Sequence, residues 1–587
     1  IQCLMDGDQV AKYDKKQKYT IAEMKLRAKQ SRMKFHADLA QVPKLPPTKV
    51  ILLVGWSLAM SSLDSTIVNI ALPNIQKDEN FVPTGQTIPQ STLQWIVDIY
   101  SIAFAAFAIP AAKIGDRFGQ TIVHRCGVFA FTIFSVLCGI SKFISYKNTP
   151  WEYGGFYVLI VARFLQGLAG SFNMSNSMSL SAILVEQKDV AKSMALNSLA
   201  FSLATTLGPV VGGIFTTYLG WEYCFFINIV LGGISIGLCW KYLPKTPKFV
   251  EDKMDVAGSM FVMLGLVQLI LGFTFIPPDR DALALGLTLV ATGVATLVAF
   301  VFWELHHPFA ILPRQLLTNK KVMHSLMAAL FNFLMITTVS FQNPFVIQTM
   351  HCISPMVTGL LTLVNPVAQI IASMSMQRLA KKVTSIMIKI ISSASGVTFV
   401  IILGFVVPYH VAGLITCGFF FSISIGMFFV SNNQYLMQSA TPDIRGILGG
   451  CIYSFRETGL AIGIALVNLI QDVYMGYSWK GRVPIDNTCS DPLFNQYRDI
   501  YYWGVCFTDI GMAGIGMIAM IFGVLAGTSP FEKDLFGYPK DKKAKAEYQK
   551  IDDAPLVVDD ITDEKDDKKE EKKDEKAEEK PLLAEKD

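Results

Sequence analysis

Residues 50–73 read VILLVGWSLAMSSLDSTIVNIALP. No charged residue interrupts this run before Asp64, and none follows until Lys77. A stretch of roughly 20 mostly apolar residues is what a helix needs to cross a bilayer. Its apolarity is continuous rather than alternating every second position, which argues for a helix over a barrel strand. Asp64 lies about 14 residues into the run, roughly 21 Å at 1.5 Å per residue. An ionised carboxylate at that depth is expensive, so it must be paired, hydrated or protonated. Asp64 is therefore a candidate for reversible proton binding; the alternative is a structural hydrogen bond to a neighbouring helix.

The same pattern recurs along the chain, at 50–72, 93–112, 122–141, 155–176, 193–217, 223–243, 255–277, 282–303, 322–346, 355–377, 385–407, 411–437, 447–470 and 503–527. That makes fourteen candidate spans. Composition agrees: of 587 residues, 52% belong to AVILMFWYC and only 17% are charged, with a mean hydropathy of +0.40. Segment 1–49 holds 16 of the charges and 531–587 holds 34, so the remaining 481 residues carry 48. A soluble core cannot be covered by so little polar surface. This excludes a soluble enzyme, a nucleic-acid binder or a disordered scaffold for the bulk of the chain, and makes it an all-α integral membrane protein embedded in the lipid bilayer. The first apolar run starts only near Val50 and is long enough to span, so no cleavable leader is expected. The ten cysteines form no metal-ligand spacing, and neither a metal site nor a cofactor is expected.

An even number of spans puts both ends on one side. Short loops on that side, including those around Arg117, Lys188, Arg314 and Arg378, hold sixteen Lys and Arg against seven opposite. The positive-inside rule then places both termini in the cytoplasm. A weak repeat, Asp189-Val190-Ala191-Lys192 and Asp443-Ile444-Arg445-Gly446, falls before the fifth and thirteenth spans. The resulting organisation is a basic arm (1–49) suited to anionic lipid, a six-helix bundle (50–243), a linker with two extra spans (244–321), a second six-helix bundle (322–527) and a disordered charged tail (528–587). Two parallel six-helix halves with a site between them at mid-membrane describe a rocking transporter.

Four segments carry a closer likeness. Leu63 to Pro73 in the first span, Ala112-Lys113-Ile114-Gly115-Asp116-Arg117-Phe118-Gly119 after the second, Leu159, Arg163, Gln166 and Gly167 in the fourth, and Gly208-Pro209-Val210-Val211-Gly212-Gly213 in the fifth resemble signatures of the major facilitator superfamily. Specifically, they resemble its fourteen-spanning drug:proton antiporters, and more narrowly the fungal aminotriazole-resistance branch. Trp221 and Phe225-Phe226-Ile227-Asn228 add to the likeness. The resemblance implies the major facilitator fold, proton coupling through Asp64 and Arg163, a gating loop at Gly115, Asp116, Arg117 and Gly119 that latches across the seam, and a glycine motif (Gly208, Pro209, Gly212, Gly213) that seals the halves of exporters. The sequence departs from the pattern at Ala112, Gln120 and Thr121, where His124 and Arg125 are the available substitutes. Independently of the likeness, Gly208 and Gly212 form a small-xxx-small face, and Pro209 removes a backbone donor. Arg163 keeps its charge at any physiological pH and so needs a carboxylate or a hydrated cavity, unless it snorkels to an interface.

Other polar residues in the spans extend the candidate set. Asp98 and Glu457 are further proton-coupling candidates. Adjacent Arg456 and Glu457 diverge by about 100° on a helix, so they do not pair ideally, and Arg456 is expected toward headgroups. Asp509 reads as an acid near a span end. Asn69, Gln166, Asn228, Asn332, Gln342, Asn343, Asn365, Gln369 and Asn433 are candidates for the substrate cavity, most of the second-half set being equally suited to interhelical hydrogen bonds. Cys352 and Cys489 fall in outer loops, bridged or free, and Glu578 to Leu583 fits an acidic dileucine string. The functional expectation is a monomeric proton-coupled exporter of small amphipathic or cationic compounds, driven by the proton gradient, in the plasma, vacuolar or endosomal membrane. The rivals are an importer or vacuolar transporter of a nutrient and a transporter-like sensor signalling through its tails. No enzyme is expected, because the loops hold no nucleophile–base set or phosphate loop.

Overall fold

The computed structural model describes residues 38 and 41–527, apart from connecting segments at 77, 79–80, 82–87, 89, 145–153, 249–254, 277–279, 308–309, 344–345, 348–349, 352, 354, 380–382, 407–409, 441–443 and 479–493. Most of the basic arm, the charged tail with its dileucine string, Cys352 and Cys489 lie outside the described residues. Fourteen helices among them are long and apolar enough to cross a membrane. They are α1 (Pro47–Gln76), α2 (Gln90–Phe118), α3 (Gln120–Ile140), α4 (Gly154–Ile183), α5 (Val190–Tyr218), α6 (Tyr223–Tyr242), α7 (Val256–Thr274), α8 (Arg280–His306), α9 (Lys320–Thr337), α10 (Pro355–Thr362 continued by Val364–Leu379), α11 (Ser385–Val406), α12 (Val411–Gln438), α13 (Arg445–Ser478) and α14 (Phe494–Gly527).

Local chemistry sets the breaks. Pro366 lacks the N–H that would reach the carbonyl of Thr362, and α10 is interrupted at Leu363. Pro110 and Pro209 instead sit inside α2 and α5 without interrupting them. The turn from α2 to α3 is the single residue Gly119, whose φ of +96° favours glycine. Thr121 then ties the turn to the end of α6, donating from its hydroxyl to the Pro244 carbonyl at 2.7 Å. Arg125 donates to the carbonyls of Cys239 and Leu243 at 2.7 and 2.8 Å. It therefore caps α6 within its own half and does not stand in for a latch residue.

Helices α1 to α6 form one half, with α1 along α5 and α4 against α2 and α3; α9 to α14 form the other, with α11 against α12 and α14. The extra pair, α7 and α8, pack on each other, and α7 leans on both α2 and α13. The seam between the halves runs along α2 and α4 against α13, and along α5 against α10 and α12.

At the end carrying the 112–119 loop the seam is shut by named contacts. Ser179 on α4 donates to the carbonyl of Gly446 at the start of α13, 2.9 Å away. Farther in, at the middle of α2, Ser454 on α13 donates to the Ala105 carbonyl at 2.8 Å. Asp116 lies against Gly446, where any side chain would collide with its carboxylate. An acid there also faces the positive end of the α13 dipole. Arg445 holds the far side, donating to the Met437 carbonyl at the end of α12, 3.1 Å away. Lys44, ahead of α1, donates to the Ile183 carbonyl at the end of α4 at 2.9 Å. Burial, with Arg445 nearby, lowers its ammonium below the ordinary lysine range. Arg117, in contrast, stacks on its neighbour Phe118 at the end of α2, 5.5 Å from the ring centre. Gly446→Val is expected to keep this end from closing. The check is faster maleimide labelling of a cysteine placed at Ser179, together with reduced transport; unchanged labelling would show that the seam tolerates a side chain there.

Candidate functional site

The charged centre of the first half is assembled from five helices. Asp64 of α1 is 0% exposed and Arg163 of α4 is 1% exposed. Arg163 Nη1 meets Asp64 Oδ2 at 2.7 Å. Gln166, one turn along α4, donates to Asp64 Oδ1 at 2.9 Å, and Asn228 of α6 donates to the same oxygen at 2.8 Å. Ser135 of α3 accepts from both amides, at 2.7 and 3.1 Å. Arg163 also grips α2: its Nε donates to the Ile96 carbonyl at 3.0 Å, and its guanidinium lies 4.4 Å from the centre of the Tyr100 ring. Gly167 makes this approach possible, since a Cβ there would strike the Tyr100 backbone. Each of these three partners of Asp64 is a donor, the pattern an ionised carboxylate requires. The site lies wholly inside the first half and is closed to solvent.

Several expectations need correction. Gln166 and Asn228, expected in the substrate cavity, are buried and donate to Asp64. Arg163 does not snorkel. Asn332 donates to Ser393 Oγ on α11 at 3.2 Å, an interhelical bond inside the second half. Asn69 is exposed. Asn365 and Gln369 of α10 are half-buried against Gly418 and Gly426 of α12. Asp98 is half-buried and takes no part in the Asp64 network. Gly208 and Gly212 face Thr66 and Ile67 of α1, in their own half, while nothing lies within 4 Å of a Cβ at Gly213. The close helix approach is present, but it joins α5 to α1 rather than one half to the other. Asp509 is not near a helix end: it is 1% exposed inside α14, beside Gly404 of α11, with neither carboxylate oxygen partnered.

A second charged pair lies on the seam. Arg456 and Glu457 of α13 are 4% and 7% exposed and pair with each other. Both Arg456 Nε, at 3.0 Å, and Nη2 go to the single oxygen Oε1 of Glu457. The long side chains fold back on each other despite their divergence on the helix, and Arg456 does not reach headgroups. Its guanidinium sits 4.8 Å from the Phe201 ring of α5, in the opposite half, and 4.6 Å from Tyr453. Those two rings help to line a small cleft with Met178, Asn197, Ser198, Phe429 and Asn433. Asn433 is thus the one sequence candidate that lines this cleft. Gln342 closes a π-helical turn at the end of α9, with Asn343 next to it, and both side-chain amides are buried without a partner. Such turns recur at functional sites.

Tyr100, Ser135 and Phe201 carry no signal in the sequence that would single them out. Lys389 does, as a lysine inside an apolar run. It is 0% exposed in α11, donates to Ser325 at 2.9 Å and stacks on Tyr435 at 4.7 Å.

Comparison with known proteins adds the relatives. Residues 54–464 match the family model described as Major Facilitator Superfamily. The riboflavin transporter RibZ of Clostridioides difficile is 26% identical over 487 residues, covering 81% of this chain and 96% of its own. The multidrug transporter MdtP of Bacillus subtilis is 26% identical over 435 residues, covering 73% and 76%. Among solved structures, the proton:xylose symporter XylE aligns with a TM-score of 0.57 at 13% identity, covering 81% of this chain and 94% of its own; this likeness is one of fold.

Proposed function

The chain belongs to the Major Facilitator Superfamily, and from that premise we propose that it is a proton-coupled exporter of small amphipathic compounds working by alternating access. In this reading both termini are cytoplasmic, the shut end of the seam faces the cytoplasm, and the proton gradient supplies the energy. Both halves come from one chain, so a monomer suffices.

The observation that carries the reading is the hold of the Asp64–Arg163 pair on α2. Protonation of Asp64 removes the charge that orients Arg163, and Arg163 holds the Ile96 carbonyl and the Tyr100 ring. Helix α2 lies on the seam against α13, so loss of that hold alters the surface on which the halves meet. Protonation drives the cycle only because it stabilises the two orientations unequally. Asp98 and Glu457 stand outside this network. Relatives named for multidrug transport support export.

A second reading is uptake of a nutrient; one observation favours a nutrient substrate, since the match to the riboflavin transporter RibZ runs over most of both chains. Inside-out plasma-membrane vesicles with an acid lumen separate the two. An exporter accumulates an amphipathic dye in the lumen, read in parallel with the cation ethidium and an anionic aryl sulfonate, and a protonophore abolishes the accumulation. Depletion of preloaded riboflavin from the lumen under the same gradient, with no accumulation of dye, would overturn export in favour of uptake.

A further inference from the structure

The seam pair has features of a ligand site occupied by its own neighbour. A carboxylate that fits arginine well accepts two parallel bonds on its two oxygens. Here both bonds converge on one oxygen of Glu457, and Arg456 Nη1 is buried with no partner at all. The guanidinium is walled by Phe201 from one half and Tyr453 from the other, so anything bound beside it touches both moving bodies. The adjoining cleft has room for about one water in this conformation. Parting α5 from α12 and α13, the motion a rocking transporter makes, would enlarge it between aromatic faces.

We infer that Arg456 is the recognition group for an amphipathic organic anion, an apolar or aromatic body carrying a carboxylate-class group, which displaces Glu457 and stacks between Phe201 and Tyr453. This deepens the transporter reading above and rests on it. It also narrows the expected substrates, because Arg456 Nη1 is an unpartnered donor on a charged group, which favours a bound acceptor over a second cation once Glu457 is displaced. Glu457 then serves as the internal counter-ion that keeps the guanidinium paired while the site is empty.

The test uses the full chain in lipid nanodiscs, with two probes of one ring system and opposite charge, 2-naphthoate and 2-naphthylmethylammonium, read by equilibrium dialysis against empty discs. The wild type is expected to bind naphthoate saturably and the ammonium not at all. Arg456→Gln should weaken naphthoate binding about tenfold or more, the scale of one lost charge-assisted hydrogen bond. Arg456→Lys should fall between, keeping the charge without the fork. Glu457→Gln should tighten binding by removing the competitor, and it decides the matter if Arg456→Gln fails to fold. Preference for the ammonium, absence of naphthoate binding, or naphthoate binding unmoved by Glu457→Gln would each overturn the assignment. Dialysis needs no proton gradient, so such a failure alongside intact gradient-driven dye accumulation would leave the exporter standing. Naphthoate binding without gradient-driven flux would sink the exporter and leave the anion site.

Discussion

Asp64→Asn is expected to abolish gradient-driven accumulation in acid-loaded inside-out vesicles while equilibrium exchange of substrate persists and loses its pH dependence. Asparagine keeps the volume and one carbonyl acceptor, but it cannot cycle between charged and neutral forms. Three donors converge on Asp64, from Arg163, Gln166 and Asn228. An amide oxygen satisfies two of them at most, and its own N–H₂ then faces a donor. The variant should therefore also be less stable, by about 3 kcal/mol, because a buried guanidinium loses its counter-charge. Instability alone lowers flux in every mode, whereas loss of coupling removes uphill accumulation and spares exchange. Uphill accumulation with the wild-type rate and pH profile would end the coupling proposal and leave the fold untouched.

In the proposed cycle, helix α2 would carry a change at Asp64 from one half to the other. Its early turns hold Arg163 through Ile96 and Tyr100, its middle meets α13 at Ala105, and its last turn places Asp116 against Gly446. One helix thus touches the ion pair, the seam and the start of α13. A shift of about 1 Å along it would be felt at all three, since packed interfaces switch between arrangements rather than deform continuously.

The fourteen spans were legible because each is a run near 20 apolar residues, and length and polarity alone fix that reading. The need for a partner at Asp64 and at Arg163 was equally legible, because neither charge is tolerable alone in a dry helix. Which partner each takes depends on helix rotation and rotamer, which no single run encodes. Gln166 and Asn228 look identical in sequence whether they face a cavity or a carboxylate, and only the packing of α3, α4 and α6 decides. Arg456 and Glu457 defeat the helix-wheel argument for another reason. The 100° divergence applies at Cβ, and seven side-chain torsions between the two residues are enough to bring their ends together. Gly208 and Gly212 predicted a close approach without saying to which helix, since glycine marks the absence of a side chain and not the identity of its neighbour.

Arg163→Gln should be among the most damaging single changes in the chain, and the double variant with Asp64→Asn should recover most of the loss. The single change leaves an ionised carboxylate at 0% exposure with only the amides of Gln166 and Asn228 as native donors. It also cuts the tie to the Ile96 carbonyl and the contact with Tyr100. Removing one member of a buried pair typically costs about 3–5 kcal/mol. In the double variant two neutral amides replace two charges, and their hydrogen bonds can re-form across nearly the same gap. Thermal unfolding in one detergent should then show an interaction energy of about 2–3 kcal/mol between the two positions. Transport should not follow stability, because the double variant has no group left to carry the proton. Melting restored without uphill accumulation assigns the pair to coupling, whereas two effects that simply add would mean that Asp64 and Arg163 do not act on one another in the folded membrane protein.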